Sequence, residues 1–244
     1  MVPTITDAHR RAMTEEGYTL FPNLFTPEEM SALDVDLAAF DAENRRKMAE
    51  TGGNHGISNA DAVAFTDHIA ERSPAIAAFL KRPEFVTIGT EFLGPDVDLY
   101  WNQTVYKNPE GDRVFPWHQD DAYGPVVPAG YLTLWLAVSD STEDMGCISV
   151  LPGSHRGGLR PHSPSPIGLV GHDNDDPDQG VKVPVNAGDL ICFWSLTMHK
   201  SGPNVSPRMR KAFVAQYAPV GLRRADSGEE IPMEITLARG GVAA

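Results

Sequence analysis

Apolar positions recur at helical spacing through the first 95 residues and then change to short alternating runs from residue 97 onward. Residues 6–16 read as a short helix ended by Gly17, and Tyr18–Phe25 alternates as a strand. Thr26-Pro27-Glu28-Glu29 is a helix start: Thr26 caps, Pro27 suits the first helical position and Glu29 completes a capping box. That helix runs to about residue 48, with Met30, Leu33, Leu37 and Phe40 on its core face. Residues 51–60 are rich in Gly and Asn and read as a loop; His55 within it is given no role. Ser73-Pro74 and Pro83 start two further helices, the second closed by Gly94.

The second pattern is that of strands. Asp98–Lys107 is rich in aromatic and β-branched residues, and residues 108–112 turn the chain. Further strands are expected around His118, over Tyr131–Ser139, Cys147–Leu151, Val181–Val185, Asp189–Ser195 and Arg210–Val220. Residues 156–180 hold many Gly, Pro and Asp with little periodicity, which reads as either a lid or a solvated surface loop. Many short strands between Gly/Pro turns indicate a sandwich or closed barrel, and a jelly roll fits the strand count. The expected fold is mainly β, with one domain over 1–244: a helical flank over 1–95 and a jelly-roll core over 96–220.

Composition narrows the partners. The chain has 244 residues, 41% hydrophobic and 22% charged, as a soluble globular protein has. A net charge of −13 argues against nucleic acid or an anionic membrane as partner. Cys147 and Cys192 both sit in apolar runs and read as buried free thiols. No leader, membrane span or peroxisomal address is recognised, so the cytoplasm is the expected location.

Candidate chemistry centres on Trp117-His118-Gln119-Asp120. On a strand, His118 and Asp120 point to one face and Gln119 to the other. An imidazole and a carboxylate side by side leave a metal with an open hemisphere, and a second His would complete the face used by non-haem Fe(II) oxygenases. Taken alone, a His-x-Asp pair is more often a surface or cap feature. Of His155, His162, His172 and His199, the last is the best third ligand, because it follows the rigid strand over 189–195 and the others lie in turns or irregular chain. Arg208 and Arg210 open the final apolar strand. Either could hold a dicarboxylate through paired hydrogen bonds, or pair with surface acids.

Taken together, Trp117–Asp120, Gly146–His155, His199–Asn204 and Arg210-Lys211-Ala212 resemble the phytanoyl-CoA dioxygenase family, over roughly residues 95–220. The resemblance implies a double-stranded β-helix, Fe(II), and 2-oxoglutarate as co-substrate. His118, Asp120 and His199 match the family's iron ligands, Arg210 the anchor of the distal carboxylate and Ser201 a further co-substrate contact. Gln103 and Trp135, with Lys107 behind them, fall at positions lining the same pocket, and His155 lies in a motif read as structural. Related halogenases replace the metal carboxylate with a small residue, so Asp120 argues against halogenation. The expected activity is O₂- and 2-oxoglutarate-dependent hydroxylation of a small organic molecule. Desaturation, epimerisation or cyclisation by the same parts stand beside it, as do a non-catalytic jelly-roll binding protein and a cupin-like isomerase or lyase.

Overall fold

The computed structural model describes residues 2–55, 58–59, 63–171 and 179–244, the side chains of residues 54–55 excepted. Alternation along the strands divides it into layers. The larger sheet runs β1 (Tyr18–Phe21), β10 (Leu190–Trp194), β5 (Leu132–Ala137), β12 (Arg210–Pro219), β3 (Val97–Lys107), β2 (Val63–Asp67), with two short strands beyond β2. The smaller sheet runs β9 (Val181–Val183), β6 (Ile148–Val150), β11 (His199–Ser201), β4 (Phe115–His118). All these pairings are antiparallel. A hairpin of β7 (His162–Ser165) and β8 (Gly168–Gly171) stands apart from both sheets, and β13 (Ile235–Arg239) adds to β3.

One face of the large sheet carries Leu132, Leu134, Leu136, Leu190, Cys192, Phe213 and Tyr217, buried in one cluster with helix residues. Those helices are α1 (Asp7–Glu15), α2 (Pro27–Glu50), α3 (Pro74–Leu80) and α4 (Pro83–Leu93). The alternate residues Trp135, Ala137, Ile191, Phe193, Ala212 and Val214 meet Ile148 and Val150 of the small sheet in a second core. The result is a jelly roll with helices on its outer face, as the strand count implies. Both cysteines are free and buried.

The helix starts form for the reasons the sequence gives. Glu29 N–H donates to Thr26 Oγ1 at 3.2 Å, and Thr26 N–H to Glu29 Oε2 at 2.8 Å. Three expectations need correction. The first strand stops at Phe21, because Asn23 takes a left-handed φ of 50° and its N–H turns to Asp189 Oδ1. Besides the expected β1, the helical flank supplies β2 to the large sheet, and residues 54–55 and 58–59, expected as loop, pair as the two short strands beyond it. Finally, residues 162–171 form a hairpin rather than irregular chain.

Candidate metal centre and co-substrate pocket

His118 is the last residue of β4, and Asp120 already begins a short 3₁₀ turn, Asp120–Tyr123. The two therefore do not share a strand as expected. Gln119 between them is still extended, with φ −114° and ψ 136°, so the two side chains emerge on the same side. Gln119 points the other way and is wholly buried. Its amide donates to Gly158 O at 2.9 Å and Leu196 O at 2.6 Å, and accepts from Arg160 N at 2.8 Å. His199 enters from β11, directly opposite His118 in the pairing of the two strands.

Ligand atoms of His118, Asp120 and His199 all lie within 4.8 Å of one another. Each ring has its proton placed by the backbone. His118 Nδ1 lies 2.8 Å from Pro116 O, and His199 Nδ1 lies 3.0 Å from Thr197 O. A carbonyl only accepts, so both Nδ1 atoms carry hydrogen, and Nε2 is the atom through which each ring can bind a metal. Those Nε2 atoms stand 3.6 and 3.5 Å from Asp120 Oδ1, beyond hydrogen-bond length. Burial, and then the neighbouring His199 ring, hold the His118 imidazole well below its ordinary pKa, in the neutral form. Two ring nitrogens and a carboxylate oxygen converge, which is the arrangement a divalent cation stabilises.

The second carboxylate oxygen is held from the large sheet. Asp120 Oδ2 accepts from Thr133 Oγ1 at 2.7 Å and from Gln216 Nε2 at 3.0 Å. Such partners orient a ligand and tune its basicity. Sequence reading missed both, although each is a polar residue interrupting an apolar strand.

A cavity of about 60 Å³ is lined by these three side chains and also by Arg210, Ser201, Trp135 and Gln103. Arg210 is 1% exposed. Its Nη1 donates to Gly146 O at 2.6 Å and its guanidinium lies 5.4 Å from the Trp135 ring centre, while Nε has no partner. Beside it in the strand register, Lys107 is equally buried. Its ammonium donates to Ser201 Oγ at 3.0 Å, to Ser201 O and to Gly202 O. Burial, reinforced by Arg210, pushes Lys107 down to about 6, and burial alone pushes Arg210 down to about 10. Neither cation pairs with a carboxylate among the described residues. A buried guanidinium without a counter-ion is costly unless an anion joins it. Arg208, by contrast, is surface-exposed and faces Asp140 at 3.7 Å, which separates it from the pocket.

The remaining histidines fall elsewhere. His155 Nε2 lies 3.2 Å from Thr14 O, away from the centre. His162 Nε2 accepts from the Gln119 N–H at 3.1 Å and so braces the ligand strand without joining it. His172 and the His55 side chain lie outside the described residues.

Residues 13–212 match the family model for phytanoyl-CoA dioxygenase (PhyH). This chain belongs to the phytanoyl-CoA dioxygenase family. By family it is a non-haem iron, 2-oxoglutarate-dependent dioxygenase. It is 26% identical, over 86% of its length, to a Stutzerimonas stutzeri protein described as a probable alpha-ketoglutarate-dependent hypophosphite dioxygenase, and covers 77% of that protein. It is 25% identical to the peroxisomal phytanoyl-CoA dioxygenase of Rattus norvegicus over 85% of this chain and 67% of that enzyme. The chain spans 50% of the corresponding Bos taurus enzyme. Among solved structures, the carbocyclase SnoK from nogalamycin biosynthesis superposes with a TM-score of 0.76 at 22% identity, covering 95% of each chain. EvdO2 from Micromonospora carbonacea var. aurantiaca, complexed with 2-oxoglutarate, gives 0.71 at 22% identity, over 94% of this chain and 96% of that one. These likenesses show the jelly-roll fold. Among the described residues, no helix is long and apolar enough to cross a membrane.

Proposed function

We propose that His118, Asp120 and His199 hold Fe(II), that Arg210 anchors the distal carboxylate of 2-oxoglutarate, and that the chain uses O₂ to hydroxylate a small organic molecule. The observation that carries this reading is the convergence of both Nε2 atoms with Asp120 Oδ1, each ring held through Nδ1 by a backbone carbonyl. Bound iron would supply the coupled oxidative decarboxylation of the 2-oxo acid and oxidation of a substrate C–H bond. The chain's own contribution is placement. Thr133 and Gln216 hold Asp120 so that Oδ1 faces the two rings. Arg210 supplies a buried guanidinium with an unused Nε–H, and a carboxylate supplies the missing acceptor. Lys107 donates to Ser201 Oγ, which leaves the Ser201 hydroxyl hydrogen for the same carboxylate. Trp135 and Gln103 complete the wall.

Two imidazoles, a carboxylate and an open side fit Fe(II), and the buried Arg210 guanidinium fits a carboxylate of the co-substrate. A purely structural jelly roll has no use for buried, unpaired Arg210 and Lys107. The neighbours titled carbocyclase and epimerase keep cyclisation and epimerisation as the second reading of the outcome. Anaerobic addition of Fe(II) and then 2-oxoglutarate tests the centre. A weak visible charge-transfer band that needs both, and is lost in His199→Ala, is the expected result. A band that persists in His199→Ala would remove that residue from the centre.

A further inference from the structure

A second cavity, of about 330 Å³, meets the same centre at His118, Asp120 and Gln216. Its remaining wall is mostly aromatic, with Phe65, Tyr100, Trp101, Phe115, Tyr123 and Tyr131 beside Gln103 and Gly124. The volume lies at the lower end of the range that small organic ligands occupy. Among the described residues, Asp120 is the only charged residue in the lining.

A local irregularity of the sheet builds this wall. Where β3 pairs with β12, Gln216 faces Trp101 but Tyr217 faces Leu99, so Tyr100 is an extra, unpaired residue. Along a regular strand Tyr100 and Trp101 would point to opposite faces. The bulge lets both line one cavity, and bulges beside active sites commonly re-aim a side chain in this way. Two neighbouring rings facing the cavity is a costly way to bury a core. It is an effective way to present π-faces to a ligand. The hydroxyls of Tyr100 and Tyr131 make no hydrogen bond among the described residues, so they are available to a ligand's oxygen atoms. Tyr131 is 3% exposed, and its ring packs 4.8 Å from that of Tyr100.

We infer that the molecule oxidised here is a flat, uncharged ring system bearing hydroxyl or carbonyl oxygens, seated among these aromatic residues. The inference rests on the reading of the metal centre given above. An acyl-CoA brings several phosphate charges, and hypophosphite is itself an anion; neither finds a counter-ion in this lining. An aliphatic chain would gain from the apolar surface but not from the ring faces or the phenols.

The test uses the protein loaded anaerobically with Fe(II) and 2-oxoglutarate. Three probes are titrated by calorimetry: 2-naphthol, naphthalene-2-carboxylate and phenyltrimethylammonium. The expected result is binding of 2-naphthol at least about tenfold tighter than either charged probe. Trp101→Ala should weaken it by about tenfold and Tyr100→Phe by about threefold, with the charge-transfer band unchanged in both. Tyr100→Phe keeps the ring, so it reports on the hydroxyl even where the larger truncation harms folding. Equal binding of the three probes, or 2-naphthol binding indifferent to both substitutions, with the band intact, overturns the substrate class and leaves the metal reading standing. Absence of the band overturns the metal reading, and the same three-probe comparison on the metal-free protein then decides the cavity on its own.

Discussion

Arg210 lines one of the two cavities and Tyr131 the other; the two cavities share His118, Asp120 and Gln216. The first is small, about 60 Å³, and is lined by Arg210, which stands opposite Lys107 at the regularly paired end of β12 and β3, away from the bulge. The second is larger and uncharged apart from Asp120, and is drawn from β2, the bulge in β3, β4, the 3₁₀ turn and the approach to β5. A regular sheet fixes charged groups to a fraction of an ångström, which suits a co-substrate that never changes. Bulges, turns and strand ends can vary without disturbing the sheet, which suits a substrate that differs between relatives. The metal centre sits where the two meet.

Removing the centre should erase both cavities' function at once. His118→Ala, Asp120→Ala or His199→Ala should each lower turnover by about a thousandfold or more, since an open three-ligand face has no ligand to spare. Residual metal content and succinate release check this together. An Asp120→Ala protein that keeps iron and full turnover would break the assignment of that carboxylate.

Arg210 separates the cavities. Arg210→Ala should raise the KM for 2-oxoglutarate by about a hundredfold, the usual scale for losing one side of a buried charge-assisted pair, while 2-naphthol binding stays put. Arg210→Lys should restore only part of it, because an ammonium cannot make two parallel bonds. An unchanged KM would move the anchor away from Arg210.

Gln216→Leu or Thr133→Val should lower iron affinity by about tenfold, through Asp120 rather than through direct contact. These two residues also show where sequence reading ran out. The His-x-Asp pair, His199 and Arg210 are legible because their residue types are rare at strand ends and sit in a recognisable order. The helix starts are legible because Thr26 and Glu29 act across one turn of chain. Thr133 and Gln216 look like ordinary polar residues until the sheet register sets both beside Asp120 Oδ2. The signal was there in principle: each breaks an otherwise apolar strand on the inward side. Tyr100 carries no such signal. A bulge depends on how two distant strands pair, and residues 98–107 read alone as one regular strand. Val63–Asp67 was missed for the related reason that five residues without strong alternation become a strand only by pairing with β3.

Lys107 gives a smaller effect with a definite sign. Its pKa of about 6 leaves the amine mostly neutral at pH 7.5 in the free protein. A dicarboxylate beside it raises that pKa, so binding 2-oxoglutarate should take up part of one proton near pH 7.5, with the uptake falling through pH 6 and nearly gone below about pH 5, where the lysine is already charged. Calorimetry in buffers of different ionisation enthalpy measures the uptake. Lys107→Met should abolish it. Binding without proton uptake at pH 7.5 would make Lys107 a support for Ser201 and nothing more.

The smallest effect concerns the stretch at 156–180, read from composition as a lid or a solvated loop. The hairpin within it is tied to the ligand-bearing segment. Gln119, flanked by two of the three proposed ligands, accepts from Arg160 N–H with its side chain and donates its own N–H to His162 Nε2. Tyr123, in the turn that begins at Asp120, accepts from Leu169 N–H at 3.0 Å. Its ring also lines the aromatic cavity. Fixing His118 and Asp120 on a metal therefore restrains Gln119, and a ligand against Tyr123 restrains the hairpin from its other strand. Each constraint is one or two hydrogen bonds, worth about 1 kcal/mol apiece, so the protection is modest. Tryptic cleavage after the exposed Arg156, at the start of this stretch, should slow by about threefold with Fe(II) and 2-oxoglutarate, and by about tenfold when 2-naphthol is added. Cleavage after the exposed Arg224, outside the hairpin, serves as the control and should not change. Slowing by metal and co-substrate alone, with none from 2-naphthol, would make the hairpin a brace for the metal centre. Slowing at both steps makes it a lid over the aromatic cavity, and equal cleavage throughout leaves it a surface element.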